Sequence, residues 1–208
     1  SADVTATRAI AGVWKRGVRF DRARFAAAMA AARAEAARPA PRAPAGLVSD
    51  FEGGTPAAAF GAGWSATTDA MAGGRSSGAM EVAQGGAAGT ARSLAVTGTV
   101  DGALPYAWAG AMLSPGAQMM APADLSAARA VHFWARGDGK TYRVMIFAQS
   151  RGYTPLVQTF VAGPEWKEYT LPFAAFGGID GHDLMAVIFA GGPAPGTFAF
   201  QVDEVGFR

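Results

Sequence analysis

A chain of 208 residues, half hydrophobic and only 16% charged, can bury a core and is not a disordered tail. Its net charge of +2, with arginines scattered rather than striped among aromatics, argues against nucleic acid as a partner, and no run of about 18 apolar residues marks a membrane span. The absence of cysteine excludes disulfides and thiolate metal sites but leaves the compartment open, periplasmic and secreted settings included.

The opening SADVTATRAI has neither Met nor a targeting segment and reads as the interior of a longer chain, of which this is a C-terminal piece. ATRAIAGVWKRGVRFD then reads as two short strands around Lys15-Arg16-Gly17, with Gly17 supplying the positive φ of a tight hairpin. Asp21 follows as the N-cap of an Ala-rich helix in which Phe25, Met29, Ala32 and Ala36 share a face, and Pro39 ends it. PAPRAPAG is a stiff, Pro-rich linker leaning toward polyproline II. The expected organisation is a small appendage over 1–38, a linker over 39–46 and a main body over 47–208.

The body carries strand signals throughout. LVSDFEGG, GWSATTD, SGAMEVA and ARSLAVTGTV lead into WAGAMLS, AVHFWARG and KTYRVMIFAQ, and PLVQTFVAG, EWKEYTLPF, LMAVIFAGG and TFAFQVDEVGFR complete it. In the last segment Phe198, Phe200, Val202 and Val205 define one buried face, with a slip near Asp203 that a bulge would produce. About ten strands at short spacing, separated by Asp-Gly, Gly-Gly and Pro-Gly, predict an all-β sandwich or jelly roll.

Chemistry-bearing patterns are sparse. DAMAGGRSSG (Asp69–Gly78) has the glycines of a phosphate loop, but it lacks Lys and runs into a strand instead of a helix. Ser76 and Ser77 lack the G-x-S-x-G frame of a nucleophile elbow. Only two histidines are present. His132 reads as a half-buried strand position, and His182 sits in a turn where Asp180, His182 and Asp183 form either a metal-binding group or a solvated loop. Two histidines cannot build a multi-histidine zinc site, so the chain itself reads as non-catalytic.

Four segments together resemble the complex I intermediate-associated protein family. GWSATTDAMAGGRSSGAMEV matches its Trp, Asp and Met-Gly-Gly-x-Ser turn through Trp64, Asp69, Met71, Gly73, Gly74 and Ser76, with Ala72 inserted. FWARGDGKTYRVMI is similar to its strand-turn-strand at Gly137-Asp138-Gly139 and Tyr142; EWKEYTLPFAAF matches through Trp166, Pro172, Phe173 and Phe176; and FAFQVDEVGFR resembles its closing strand. The resemblance implies a galactose-binding-like jelly-roll β-sandwich over 47–208, in which Gly73 and Gly74 make a tight connection and Asp69 and Ser76 bond the loop backbone. The first zone resembles the C-terminal end of an amidohydrolase of the imidazolonepropionase-like branch, through Asp3, Ile10, Val13, Trp14, Lys15 and Gly17. That implies a parent enzyme whose metal-binding barrel, zinc included, lies outside this chain.

Galactose-binding-like sandwiches often tie first strand to last with a structural calcium, and Glu52 and Asp203 are placed for it; both also read as ordinary polar edge positions. Calcium there would need carbonyls of the Gly53-Gly54 turn. Sugar binding would draw on rim aromatics and polar groups, for which Trp108, Tyr106, Tyr153, Trp134 and Arg143 are the candidates; Trp108 and Trp134 sit in strand-like runs where core packing is the default, whereas Tyr106 and Tyr153 lie near turns. The expected function is a non-catalytic accessory module that stabilises or docks, its partner being the parent's catalytic barrel or another protein; the alternative is a carbohydrate-binding module that brings the parent to a glycan.

Overall fold

The computed structural model describes residues 13–208, which fall into two compact units, Ser1–Pro39 and Ala40–Arg208. In the first, β1 (Val13–Lys15) pairs antiparallel with β2 (Val18–Phe20), and α1 (Arg22–Ala36) follows. The hairpin turn places both Arg16 and Gly17 at positive φ, 52° and 77°, so the left-handed requirement extends one residue beyond the expected glycine. Asp21 caps the helix, its Oδ1 accepting the Arg24 N–H at 2.9 Å. Asp3 and Ile10 lie outside the described residues.

The second unit is a sandwich of eleven strands, one for each segment read from the sequence. A five-stranded antiparallel sheet has the order β10 (Leu156–Val161), β9 (Thr141–Ala148), β12 (Leu184–Gly191), β7 (Ala109–Ser114), β4 (Gly63–Thr68). The facing six-stranded sheet runs β11 (Lys167–Pro172), β8 (Ala130–Gly137), β13 (Gly196–Phe207), β6 (Arg92–Val100), β5 (Ser77–Gln84), with β3 (Gly46–Ser49) also on β13. This is the galactose-binding-like jelly roll. No described helix is long and apolar enough to cross a membrane.

Strand β13 shares one edge between β6, along Gly196–Val202, and β3, along Val205–Phe207. The change of partner falls at a register slip between Asp203 and Gly206, where Glu204 has φ 48°. That is the bulge the alternation near Asp203 anticipates, and Phe198, Phe200, Val202 and Val205 are all buried as expected. Part of the Pro-rich stretch is laid along the sandwich: Ala43 N–H donates to the Asp124 carbonyl at 2.8 Å, and Asp124 N–H to the Pro41 carbonyl at 2.7 Å.

Aromatic side chains from the two sheets meet in the core. Phe133 of β8 lies edge-on to Phe189 of β12 at 4.9 Å and to Phe160 of β10 at 5.1 Å, and stacks on Tyr169 at 5.3 Å. Phe189 continues the contact to Trp64 at 5.8 Å, whose indole N–H is satisfied by Ser49 Oγ at 2.9 Å. Phe173 and Phe176, after β11, are also fully buried in this core.

The DAMAGGRSSG loop is architectural. It carries the chain from β4 in one sheet to β5 in the other. Fully buried Asp69 accepts from Ser76 N–H (3.0 Å), Ser76 Oγ–H (2.7 Å) and Trp108 N–H (3.3 Å), and Ser76 Oγ accepts from Asp101 N–H at 2.9 Å. Gly73 sits at φ 84°, whereas Gly74 is required for a different reason: a Cβ there would lie 2.2 Å from Asp69 Cγ.

Replacing Phe133 by Ala removes a ring that bridges both sheets and should cost about 3–5 kcal/mol. Denaturant unfolding of the two proteins checks this, and a change below about 1 kcal/mol would show that the core closes around the gap.

Candidate functional site

The residues nominated from sequence do not converge on one place. Tyr106 precedes β7, whose first residue Ala109 pairs with Gly191, while Tyr153 follows β9, whose last residue Ala148 pairs with Leu184 at the other end of β12. The two tyrosines, 55% and 82% exposed, therefore stand at opposite ends of the five-stranded sheet. Trp108 belongs to that sheet's outer face, where Met112, Ile188 and Met145 lie side by side on β7, β12 and β9 and form a second apolar cluster with Met120 and Phe147. Arg143 shares this face; it donates to the Ala107 carbonyl at 2.7 Å and the Gly191 carbonyl at 3.3 Å, and burial lowers its pKa. Trp134 alternates with the core residues Phe133 and Ala135, and so occupies the outer face of the six-stranded sheet. His132 is buried and bonded to Glu168 Oε1 at 2.6 Å, a bond that is the main cause of the lowered Glu168 pKa.

Glu52 and Asp203 are brought to the same loop, the β5–β6 connection. Asp203 is fully buried; its Oδ2 accepts from Ala87 N–H (2.8 Å) and Thr90 Oγ1–H (2.6 Å), and its Oδ1 from Glu204 N–H (2.8 Å). Glu52 accepts from Ala91 and Arg92 N–H through Oε1 alone, at 2.9 and 2.7 Å. Burial pushes the Asp203 pKa up, against its hydrogen bonds, and the Glu52 charge adds to the rise; Glu204 is raised by burial, then by Asp203 and Asp50. Among the described residues no three carboxylate, imidazole or thiolate groups gather to hold a metal by themselves.

Polar groups do converge at one end of the sandwich, at the turn that Tyr153 follows. The turn after β9 and the turn before β12 enclose a cleft of about 320 Å³ lined by Ser150, Arg151, Asp180, His182 and Asp183. Asp183 staples the turns together: its carbonyl accepts Gln149 N–H at 3.0 Å and its Oδ2 accepts Ser150 N–H at 2.6 Å. The Asp183 side chain is only 8% exposed, and its Oδ1 has no partner among the described residues. His182 Nδ1 lies 2.5 Å from Asp180 Oδ1, and Nε2 lies 3.6 Å from Asp183 Oδ2. The bond to Asp180 raises the imidazole pKa, helped by the charges of Asp183, Asp180 and Asp124, and the same bond lowers that of Asp180. Asp180, His182 and Asp183 were legible as a group in the sequence. Ser150 and Arg151 were not, because some thirty residues separate the two turns and it takes the β9–β12 pairing to bring them together.

The family of complex I intermediate-associated protein 30 matches residues 50–179. The chain belongs to this family. No curated protein matches it. Among solved structures, this family member is similar to the family 11 carbohydrate-binding module of the cellulosomal cellulase Lic26A-Cel5E of Clostridium thermocellum, at 17% identity and a TM-score of 0.57 over 79% of this chain and 94% of that one. It is also similar to the family 11 module from Clostridium thermocellum in complex with a β-1,3-1,4-mixed-linked tetrasaccharide, at 18% identity and a TM-score of 0.55, covering 79% and 96%. An exo-β-agarase shares the fold at 9% identity and a TM-score of 0.53, over 79% of this chain and 25% of that one. At these identities the likeness is one of fold.

In this member of the complex I intermediate-associated protein 30 family, the cleft carries a pH-dependent contact. Its carboxylates hold the folded-state imidazole of His182 above the ordinary 6.5, so the contact contributes stability that is fully present below that value and is lost as pH rises through the folded pKa. Between about pH 6 and pH 8 the Tm of the native protein should fall relative to that of His182→Gln. Parallel curves for the two proteins would show that the contact contributes nothing.

Proposed function

We propose that the chain is a non-catalytic accessory module whose sandwich binds a glycan in the cleft at the Ser150–Asp183 end. One observation carries the reading: Asp183 is a nearly buried carboxylate with one oxygen uncommitted, and it lines a cleft that also holds Arg151 and His182. A carboxylate oxygen accepts from a hydroxyl, an arginine or protonated imidazole donates to the next one, and such paired groups recognise the hydroxyls of a sugar. Tyr153, two residues from Arg151 and 82% exposed, adds an aromatic ring on the flanking loop. The likeness to carbohydrate-binding modules is compatible with this reading through the shared fold, which by itself does not fix function. The non-catalytic reading is compatible with His132, whose buried ring is bonded to the half-exposed Glu168.

A second reading, protein docking, is favoured by the first unit, where Trp14, Val18, Phe20, Phe25 and Met29 are 66%, 70%, 38%, 51% and 40% exposed. A two-stranded hairpin with one helix buries too little to stand alone. The amidohydrolase parent inferred from the sequence belongs to this second reading. A glycan array probed with the full chain tests the first. The expected outcome is selective binding that Asp183→Asn weakens about tenfold, the loss of one charge-assisted hydrogen bond. A flat array would reject glycan binding in favour of docking through the hairpin and helix.

Calcium belongs to the same proposal. Asp203 and Glu204 are raised carboxylates whose rise Glu52 adds to, and Glu52 keeps Oε2 uncommitted, so a hard cation would relieve their charge, although the described side chains do not form a complete ligand set. Glu52 and Asp203 would hold it together with main-chain carbonyls, and the ion would supply charge neutralisation and a cross-link between the start and end of the sandwich. Chelation should then lower Tm and added calcium restore it, with Glu52→Gln blunting the response. A Tm indifferent to chelator would remove calcium from the account.

A further inference from the structure

A sandwich can present a glycan site on a sheet face or on the loops at one end, and the two surfaces differ here in what they leave open. The outer face of the five-stranded sheet is filled. Met112, Met145 and Ile188 are 6%, 3% and 3% exposed, packed with Trp108, Met120 and Phe147. Trp108 Nε1 and Arg143 Nε are buried, so neither is turned outward to bond a chain laid across the sheet. Along the β10 margin the exposed side chains are Val157, Thr159 and Val161 in place of aromatics, and Tyr106 and Tyr153 are separated by the length of the sheet. A polysaccharide lying along this face would find no row of rings to stack on.

The end cleft has the opposite character. At about 320 Å³ it is near the lower limit of ligand pockets, a volume that suits about one or two sugar rings. Its polar groups are short-range and directional: Asp183 Oδ1 is the open acceptor, while Arg151 and His182 are the nearby donors. Arg151 is held in place by its bond to the Gly177 carbonyl at 2.9 Å, and Asp180 fixes the imidazole from its other side.

We propose that the cleft takes the terminal residue of a glycan end-on, through two adjacent hydroxyls, and does not bind internal stretches of a polysaccharide. The inference rests on the glycan reading above and specifies its ligand. One hydroxyl donates to Asp183 Oδ1, its neighbour accepts from Arg151 or His182, and the ring continues outward past Tyr153.

Isothermal titration of the full chain tests it, with glucose, mannose and galactose, with cellobiose through cellohexaose, with mannobiose through mannohexaose, and with the corresponding polymers. The expected result is saturable binding of a monosaccharide, an affinity that does not climb with chain length, and a polymer stoichiometry set by chain ends. Asp183→Asn should weaken it about tenfold. Because Asp183 also holds Ser150, Tyr153→Ala provides a second variant that leaves the staple intact and should weaken binding too. An affinity that rises steadily with chain length and is lost in Trp108→Ala would overturn the end-on inference and leave glycan binding standing. Absence of binding to every saccharide that the array scores as positive would overturn it as well, while a flat array removes the glycan reading itself.

Discussion

The contact between Phe133 and Phe189 sets the rest of the sandwich in place. One ring comes from β8 of the six-stranded sheet and the other from β12 of the five-stranded sheet, and they meet edge-on at 4.9 Å. Side chains alternate along a strand, so fixing one inward residue fixes the facing of the whole strand. With Phe189 inward, Val187 follows it into the core, and Ile188 and Ala190 turn to the outer face. After a register shift between Leu184 and Ala186, Leu184 pairs with Ala148, which brings the turn before β12 against the turn after β9. The cleft thus borders the core, and Ile179 belongs to both.

Some buried polar groups build the fold, while others keep an atom without a partner, as Trp108 Nε1, Arg143 Nε and Trp166 Nε1 do, and as Asp183 does at the cleft. Asp69 spends both carboxylate oxygens on Ser76 and Trp108, Trp64 spends its indole N–H on Ser49, and Tyr142, with its hydroxyl on Asp138 and Ala199, has its pKa driven upward by burial first and by Asp138 second. Each satisfies a group that would otherwise penalise folding. Asp183 spends one oxygen on the loop and keeps the other for the cleft. That asymmetry separates a residue whose work ends with the fold from one with chemistry to spare.

Much of this was readable from local pattern. Several strands of the sandwich follow from alternation bounded by turn residues, β7 and β12 being short apolar runs buried throughout, and the bulge near Asp203 shows as a break in the alternation of the closing segment. Asp21 as a cap and Gly73 as a positive-φ residue follow from backbone chemistry at single positions. Gly74 was legible as necessary but for the wrong reason, since its constraint is the approach of a carboxylate from five residues earlier and not its own φ. Tyr106 and Tyr153 looked alike, each an aromatic next to a turn. Only the strand order puts them at opposite ends.

The amino-acid sequence by itself determined the class of the fold, the strands and the main turns, because periodicity and turn chemistry are properties of neighbouring residues, and its motifs resembled those of the family to which the chain belongs. It also determined that Asp180, His182 and Asp183 share one turn. The tertiary structure alone decided that Ser150 and Arg151 join them, that the outer sheet face is filled by Met112, Met145 and Ile188, and that Glu52 and Asp203 clamp one loop. Those facts depend on pairing between strands far apart in the chain, and strand pairing is fixed by the packing of two sheets against each other, which no local pattern encodes.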